Sequence, residues 1–245
     1  MSDPYRDRLA DNFGARHVSA PERRALIRQV FVEVAPRYDI MNDLMSFGIH
    51  RLWKDRFAAA AGARAGEIVV DLASGTGDIA RRLAATGATV VAVDPGIAML
   101  RAGRRRETPF LQVAAEGETL PFPDNSIDCL TIAFGIRNVT QMNAALAEIH
   151  RVLRPGGRFL CLEFSRAQAW LRPFYALWSV AAIPLLGAVI AQSRAAYRYL
   201  VESIRRFPDQ REFASIIAAA GFEDVAHRNL SFGIAAIHSA RKRRT

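Results

Sequence analysis

The most specific chemistry in the chain lies in Glu67 to Gly77 (EIVVDLASGTG), a β-rich run that ends in a glycine turn and leads straight into a helical stretch. A glycine turn at the carboxyl end of a strand lets backbone approach a ligand closely, and the opening amides of the next helix offer donors to a carboxylate or phosphate. Asp94 closes the following β-like run, seventeen residues beyond Gly77. An acidic group there is placed to accept both ribose hydroxyls of an adenosine. These residues alone do not choose the cofactor, because Gly75-x-Gly77-x-x-Ala80 also satisfies the dinucleotide fingerprint of nicotinamide and flavin enzymes.

A site of this kind has to be held at the carboxyl edge of a parallel sheet. From Glu67 onward, β-rich runs (EIVVDLA, TVVAVD, PFLQVAA, CLTIAFG, GRFLCLEF) alternate with helical ones (GDIARRLAATG, IAMLRAGRR, and Gln141 to Leu153), which implies βαβ units. A helix from Asp209 to Ala220, with Gly221 as its stop, precedes FEDVAHRNL and FGIAAIHSA, expected to pair as an antiparallel hairpin at one sheet edge. Ahead of this alternating core, Pro21 to Val34 has a helical apolar pattern through Leu26, Val30 and Phe31, and Ile49 to Ala61 forms a second amphipathic stretch. No internal repeat interrupts the order.

Composition narrows the function classes. A chain of 245 residues, 51% of them apolar, buries one sizeable core, which suits a single α/β domain with a lid. Cys129 and Cys161 sit in apolar runs without a C-x-x-C pair and read as buried small hydrophobes. No cluster of His, Cys and carboxylates stands at ligand spacing, so no metal is expected. The net charge of +9 comes almost wholly from Arg; with no zinc-finger spacing and no basic motif interleaved with aromatics, it does not point to nucleic acid. Arg104-Arg105-Arg106 reads as a solvated helix end, and the tail Arg241-Lys242-Arg243-Arg244 as a frayed soluble end or as cations suited to a phosphate-rich surface. Phe174 to Ala191 carries no charge over 18 residues, yet Pro184 and Gly187 interrupt it, and a spanning helix there would split one α/β domain across a membrane. We read it as a buried or interfacial helical lid. Met1 to Arg8 is charged and lacks an apolar core, so no secretory signal is expected and the location is cytoplasmic.

The rest of the chain separates the two cofactors. AAEGETLPFPDNSIDCLTIAF, a helix, and then LRPGGRFLCLEF resemble the later motifs of class I methyltransferases, and no second domain for a hydride acceptor is visible. More specifically, RYDIMNDLMSFGIHRLWK (Arg37 to Lys54), LPFPDNSID (Leu120 to Asp128), FGIRNVT (Phe134 to Thr140), RVLRPGG (Arg151 to Gly157), LEFS (Leu162 to Ser165), YRYLVESI (Tyr197 to Ile204), PDQ (Pro208 to Gln210) and NLSFGIAAIH (Asn229 to His238) occur in that order. The ordered set resembles the ubiquinone/menaquinone C-methyltransferase family, with FGIRN and the YD-containing block its most particular elements.

The resemblance implies a Rossmann-like, doubly wound sheet of seven mostly parallel strands with an antiparallel last strand. Residues 1–64 would form an N-terminal helical extension, and residues 65–245 the methyltransferase domain with a helical insertion at about 170–206. The implied cofactor is S-adenosylmethionine, held by Asp71, Ala73, Ser74, Gly75, Thr76, Gly77, Asp94 and Ala133. Glu116 would accept from the adenine amino group and the Gly117 backbone would donate to the ring. The implied substrate is a prenylated benzoquinol or demethylmenaquinol, methylated on a ring carbon, with peripheral contact at the inner face of the membrane or with a quinone-synthesis complex. The sequence is silent on oligomeric state, and a homodimer is compatible with it.

Ring-carbon methylation demands that a neighbouring hydroxyl lose its proton, so the site must stabilise negative charge on that oxygen and align carbon, methyl and sulfur. The resemblance places Arg137 and Asn138 in the quinol pocket. A guanidinium is a poor base, so Arg137 is assigned to stabilising the phenolate; the alternative is a salt bridge fixing the loop after the fourth strand. Tyr38, in the YD element with Asp39, orients a ring hydroxyl or packs between helices. His50 reads as a structural histidine. Ser74 stands where the family often has Gly, Glu116 where Asn or Asp is usual, and Ala133 where Ser often precedes FG. These departures leave open a methyltransferase for another lipophilic phenol, with oxygen as acceptor, or a non-catalytic cofactor-binding scaffold.

Overall fold

The computed structural model describes residues 12–13, 16–34, 43, 46, 48–104, 109–171 and 194–244. Seven strands form one sheet: β1 Ile68–Leu72, β2 Thr89–Val93, β3 Leu111–Val113, β4 Ile127–Ala133, β5 Leu153–Phe164, β6 Phe222–Leu230 and β7 Ala235–Lys242. Their spatial order is β3-β2-β1-β4-β5-β7-β6. Strands β1 to β5 pair in parallel, and β7 runs antiparallel to both β5 and β6. The expected hairpin is present, but its second strand lies inside the sheet between β5 and β6, so β6 forms the edge.

The central strands are Val-, Ile- and Leu-rich because both faces of the sheet are covered. On one face, Val70, Leu72, Leu130, Ile132 and Phe159 pack against Leu146 and Ile149 of α5 (Met142–Val152) and Phe213 and Ile217 of α7 (Gln210–Ala219). The alternate residues Val69, Val90, Cys129, Leu160 and Leu162 meet Trp53 and Phe57 of α2 (Ile49–Ala61) and Ile79 and Leu83 of α3 (Asp78–Ala84). Helices α1 (Ala20–Val34), α4 (Ile97–Arg104) and α6 (Arg194–Arg206) complete the described helices. Cys129 and Cys161 are buried and free, and burial pushes the Cys129 thiol up to about 12. Among the described residues no helix is long and apolar enough to cross a membrane; Phe174 to Ala191, the expected lid, lies outside them.

Polar groups lock the elements in place. Asp209 caps α7 by accepting from the Arg211 and Glu212 amides, while Glu212 accepts from the Asp209 amide, a reciprocal capping box. Lys54 of α2 is buried and donates to Asp78 of α3 at 2.7 Å, which draws the Asp78 carboxyl down to about 2 despite its burial. At the amino edge of the strands, Arg151 joins α5 to the Leu120 and Phe122 carbonyls and to Glu148 and Asp124. The basic tail is not a loose end. It continues β7 to Lys242, whose ammonium donates to Asn125 Oδ1 and the His150 carbonyl, and Arg243 pairs with Glu223.

His238 of β7 is 1% exposed; its Nε2 lies 2.9 Å from the Gln210 carbonyl, and its ring meets Phe213 edge-on. Burial lowers its pKa from 6.5 to about 4. The unfolded chain therefore binds the extra proton first, so this contribution is fully present above pH 6.5 and is lost as pH falls toward 4. Between pH 7 and pH 5 it should cost about 2 kcal/mol of stability. Urea unfolding at the two pH values should show this loss, and His238→Gln should shrink the difference; an identical difference would remove His238 as its cause.

Candidate active site

The strand order reverses between β1 and β4, and a crevice outside the carboxyl ends of strands is expected at such a switch point. An open cleft lies there, its volume of about 850 Å³ including space open to solvent. A smaller cavity of about 390 Å³ adjoins it, sharing Ala73, Gly75, Ala133 and Phe134 as walls. Ala73, Gly75, Asp94, Glu116, Gly117, Ala133 and Asn138 line the cleft, and Asp71, Ser74 and Thr76 line the smaller cavity. Gly77 lines neither. It begins α3 with φ +77°, and a Cβ there would stand 2.4 Å from the Phe110 ring, so its lack of a side chain serves the turn.

Asp94 is 8% exposed and accepts from two backbone amides, Gly75 at 2.8 Å and Gly96 at 2.7 Å. Burial raises its pKa and those two donors oppose the rise. One carboxylate thus ties the glycine turn to the loop after β2 and lines the cleft. Asp71, 1% exposed, accepts from Thr131 Oγ1 at 2.9 Å, and burial raises its pKa to about 7. With Lys54 and the glycine turn it lines the smaller cavity.

The opposite wall is the segment after β4. Phe134 holds φ +54°, an uncommon conformation for a non-glycine residue that is retained only where the surroundings over-determine it. The 3-10 turn Ile136–Asn138 follows. At Gly135 a Cβ would lie 2.4 Å from the Cβ of Ala73, so only glycine lets this segment touch the glycine turn. Arg137 Nη1 donates to the Phe134 carbonyl and to Glu163 Oε1, each at 2.6 Å, with the side chains 6% and 1% exposed. Its guanidinium is thus directed into this ion pair and over the Phe164 ring, and Arg137 lines neither cavity. Its neighbour Asn138 is on the cleft wall. Tyr38 and Asp39 lie outside the described residues.

Several residues of the site carry no motif. Helix α1 presents Arg24, Ile27, Arg28 and Phe31 to the cleft, one helical stripe at i, i+3, i+4 and i+7. The stripe is half charged, so apolar periodicity does not reveal it. Arg28 Nη2 donates to Glu116 Oε1 at 3.0 Å, which places α1 beside the expected adenine position. Arg23, 1% exposed, donates to the carbonyls of Arg137 (3.0 Å), Asn138 (3.2 Å) and Val139 (3.0 Å). Glu118 accepts from the Thr140 and Gln141 amides and so caps α5 in place of a local side chain. Met99 of α4 adds an apolar side chain beside Gly75. The acidic acceptor, the glycine cradle and the apolar flank fit an adenosine with an amino-acid tail.

Comparison with known proteins agrees with this geometry. The ubiE/COQ5 methyltransferase family matches residues 18–242. The ubiquinone/menaquinone biosynthesis C-methyltransferase UbiE of Rubrivivax gelatinosus is 58% identical, over 94% of this chain and 92% of its own. The protein of the same name from Acidiphilium cryptum is 52% identical, over 93% and 95%. Among solved structures, an S-adenosylmethionine-dependent methyltransferase of Thermotoga maritima superposes with TM-score 0.65 at 17% identity, covering 89% of this chain and 100% of its own. A phosphoethanolamine N-methyltransferase of Haemonchus contortus with bound S-adenosylhomocysteine gives 0.56 at 14% identity, covering 78% and 52%. The last two share the fold.

Two substitutions check the site. Asp94→Ala should weaken S-adenosylmethionine binding by about tenfold or more in calorimetric titration, and unchanged affinity would refute the ribose assignment. Arg23→Met leaves one buried and two partly buried carbonyls without their donor and should lower stability by roughly 2–4 kcal/mol in urea unfolding; a loss below about 0.5 kcal/mol would mean that the Arg137–Val139 turn holds itself.

Proposed function

The chain belongs to the ubiE/COQ5 methyltransferase family, and on that footing we infer that it is an S-adenosylmethionine-dependent C-methyltransferase of ubiquinone and menaquinone biosynthesis. The observation that carries this reading is a single cleft with the Asp94 and glycine-turn wall on one side and the Gly135 to Thr140 wall on the other. A cofactor and an aromatic ring can face each other across it.

When bound, S-adenosylmethionine supplies an electrophilic methyl on sulfonium sulfur. Asp94 would hold its ribose, Glu116 and Gly117 its adenine, and Ala73, Ser74, Gly75 and Thr76 its amino-acid end, with Asp71 and Gly77 shaping the turn. On the facing wall, Asn138 meets the ring oxygen whose deprotonation makes the adjacent carbon nucleophilic. Arg137 acts from behind that wall: its cation lies in the buried segment that carries Asn138, and its bond to the Phe134 carbonyl fixes the turn. Tyr38 orients a second ring oxygen. A prenyl tail requires an apolar path, and the uncharged Phe174 to Ala191 stretch is suited to line it. We read residues 1–64 as a helical extension over the catalytic unit of residues 65–245, working at the inner membrane surface.

The decisive experiment is mass spectrometry of the quinones made by a bacterial host that lacks its own quinone C-methyltransferase and carries this gene. Restored ubiquinone, menaquinone or both confirms ring-carbon transfer and identifies the ring. Continued desmethyl precursors from a protein that still binds S-adenosylmethionine refute it. In the same assay Arg137→Ala should retain cofactor affinity and lose most turnover; equal loss of both would mean that Arg137 holds the shape of the whole cleft rather than the ring-facing wall alone.

A further inference from the structure

Tyr199 of α6 belongs to no assigned role, yet it reaches the site. It is 6% exposed, and its hydroxyl donates to Asn138 Oδ1 at 2.9 Å. Phe13 stacks on its ring at 4.7 Å with an interplanar angle of 14°, which restrains the ring. The groups around the phenol are Arg23, Arg137 and Glu163. The two guanidiniums are donors only, Glu163 Oε1 is already engaged by Arg137 Nη1 and the Phe164 amide, and Glu163 Oε2, buried without a hydrogen-bond partner, takes none from the phenol. Burial raises the Tyr199 pKa, so the phenol stays protonated and able to donate at neutral pH.

The other end of the amide is also specified. Asn138 Nδ2 stands 3.5 Å from the Phe134 carbonyl, a carbonyl that the left-handed turn at Phe134 presents to it. Reversing the amide would set Oδ1 against that carbonyl, acceptor against acceptor, and would remove from the Tyr199 hydroxyl the acceptor it now has. At 3.5 Å the Phe134 contact is weak, so the Tyr199 bond is the stronger determinant. A side-chain amide nitrogen carries two N–H groups, and one remains for a group in the cleft that Asn138 lines.

Resting on the function proposed above, we infer that Tyr199 is a positioning residue for methyl transfer: by holding Asn138 Oδ1 it makes the amide N–H, and not the amide carbonyl, the group that meets the ring oxygen. A donor at that point favours the deprotonated oxygen, the state in which the neighbouring ring carbon attacks the methyl. A carbonyl there would repel it. In the transfer, the hydroxyl proton passes to solvent water in the open cleft, the ring carbon's electron pair forms the new bond to the methyl, and the carbon–sulfur bond breaks toward sulfur. The proton on that ring carbon is then lost to water while the ring oxygen regains one, restoring the aromatic phenol.

The test compares wild type, Tyr199→Phe, Asn138→Ala and the double variant, with a short-tailed demethylmenaquinol kept reduced as substrate. Tyr199→Phe should leave S-adenosylmethionine affinity unchanged. It should move the rise of kcat with pH upward by about one unit, so that kcat is roughly tenfold lower below the midpoint and recovers above it. Asn138→Ala should shift the midpoint at least as far, and Tyr199→Phe should add nothing in that background. A kcat lowered equally at every pH, an unmoved midpoint, or additive effects of the two substitutions would overturn the inference. Absence of ring-methylated product from wild type would instead sink the functional reading. The inference is then judged without turnover, by absorbance titration of 4-nitro-1-naphthol bound to the S-adenosylhomocysteine-loaded protein. A higher bound pKa in Tyr199→Phe supports it, and equal values refute it.

Discussion

Burying a guanidinium is costly unless its donors are met, and at the heart of this protein two of them, Arg23 and Arg137, are buried around one turn. Arg23 gathers three successive carbonyls and Arg137 takes the Phe134 carbonyl and Glu163. Helices and strands satisfy their own backbone, but a turn with φ +54° at Phe134 and a one-turn 3-10 segment cannot. The side chains of a distant helix and of the turn itself supply the missing donors. That exchange fixes α1 over the cleft and holds the segment that sets Asn138 on its wall.

The same turn is tied to the cofactor side by the contact between Gly135 and Ala73, where no room exists for one more carbon. The Asp94 carboxylate in turn joins the glycine turn to the loop after β2. The two walls are therefore coupled through backbone rather than through flexible side chains. For in-line transfer this matters, because small misplacements of reacting atoms cost large factors in rate. Tyr199 extends the principle by one shell: a hydroxyl from α6 decides which end of one amide the cleft sees.

The sheet also separates tasks by its two edges. The carboxyl edge carries the cleft. The amino edge carries staples: Arg151 across the Leu120 to Asp124 loop, Arg158 on Glu67 and the Ala61 carbonyl, and Lys242 on the His150 carbonyl. The motifs RVLRPGG and LPFPDNSID thus act as a fastening at the far edge from the chemistry. Because β7 runs antiparallel, with Arg241 opposite Arg158 and Ala235 opposite Phe164, the cationic tail emerges at this same edge. A phosphate-rich surface drawn to the tail would face the edge opposite the cleft.

Element types and order were legible in the sequence because they rest on local patterns: β-branched runs between glycine turns, helices at period 3.6, and Gly221 as the stop of the Asp209 to Ala220 helix. The glycine turn and Asp94 were legible for the same reason, since each is a short contiguous signal, whereas Glu116 and the FGIRN block stood out only through the family resemblance of the ordered motifs. Tertiary structure alone decided the insertion of β7 between β5 and β6, a choice about long-range pairing that neither strand's own residues encode. It alone made the tail a strand end, brought Arg23 within reach of a turn 114 residues away, and placed the Tyr199 hydroxyl on Asn138. It also turned Arg137 toward Glu163, because a buried cation seeks the nearest carboxylate. Those pairings depend on which helix faces which strand, and a linear pattern carries the type of each element but not the partner its side chains will meet.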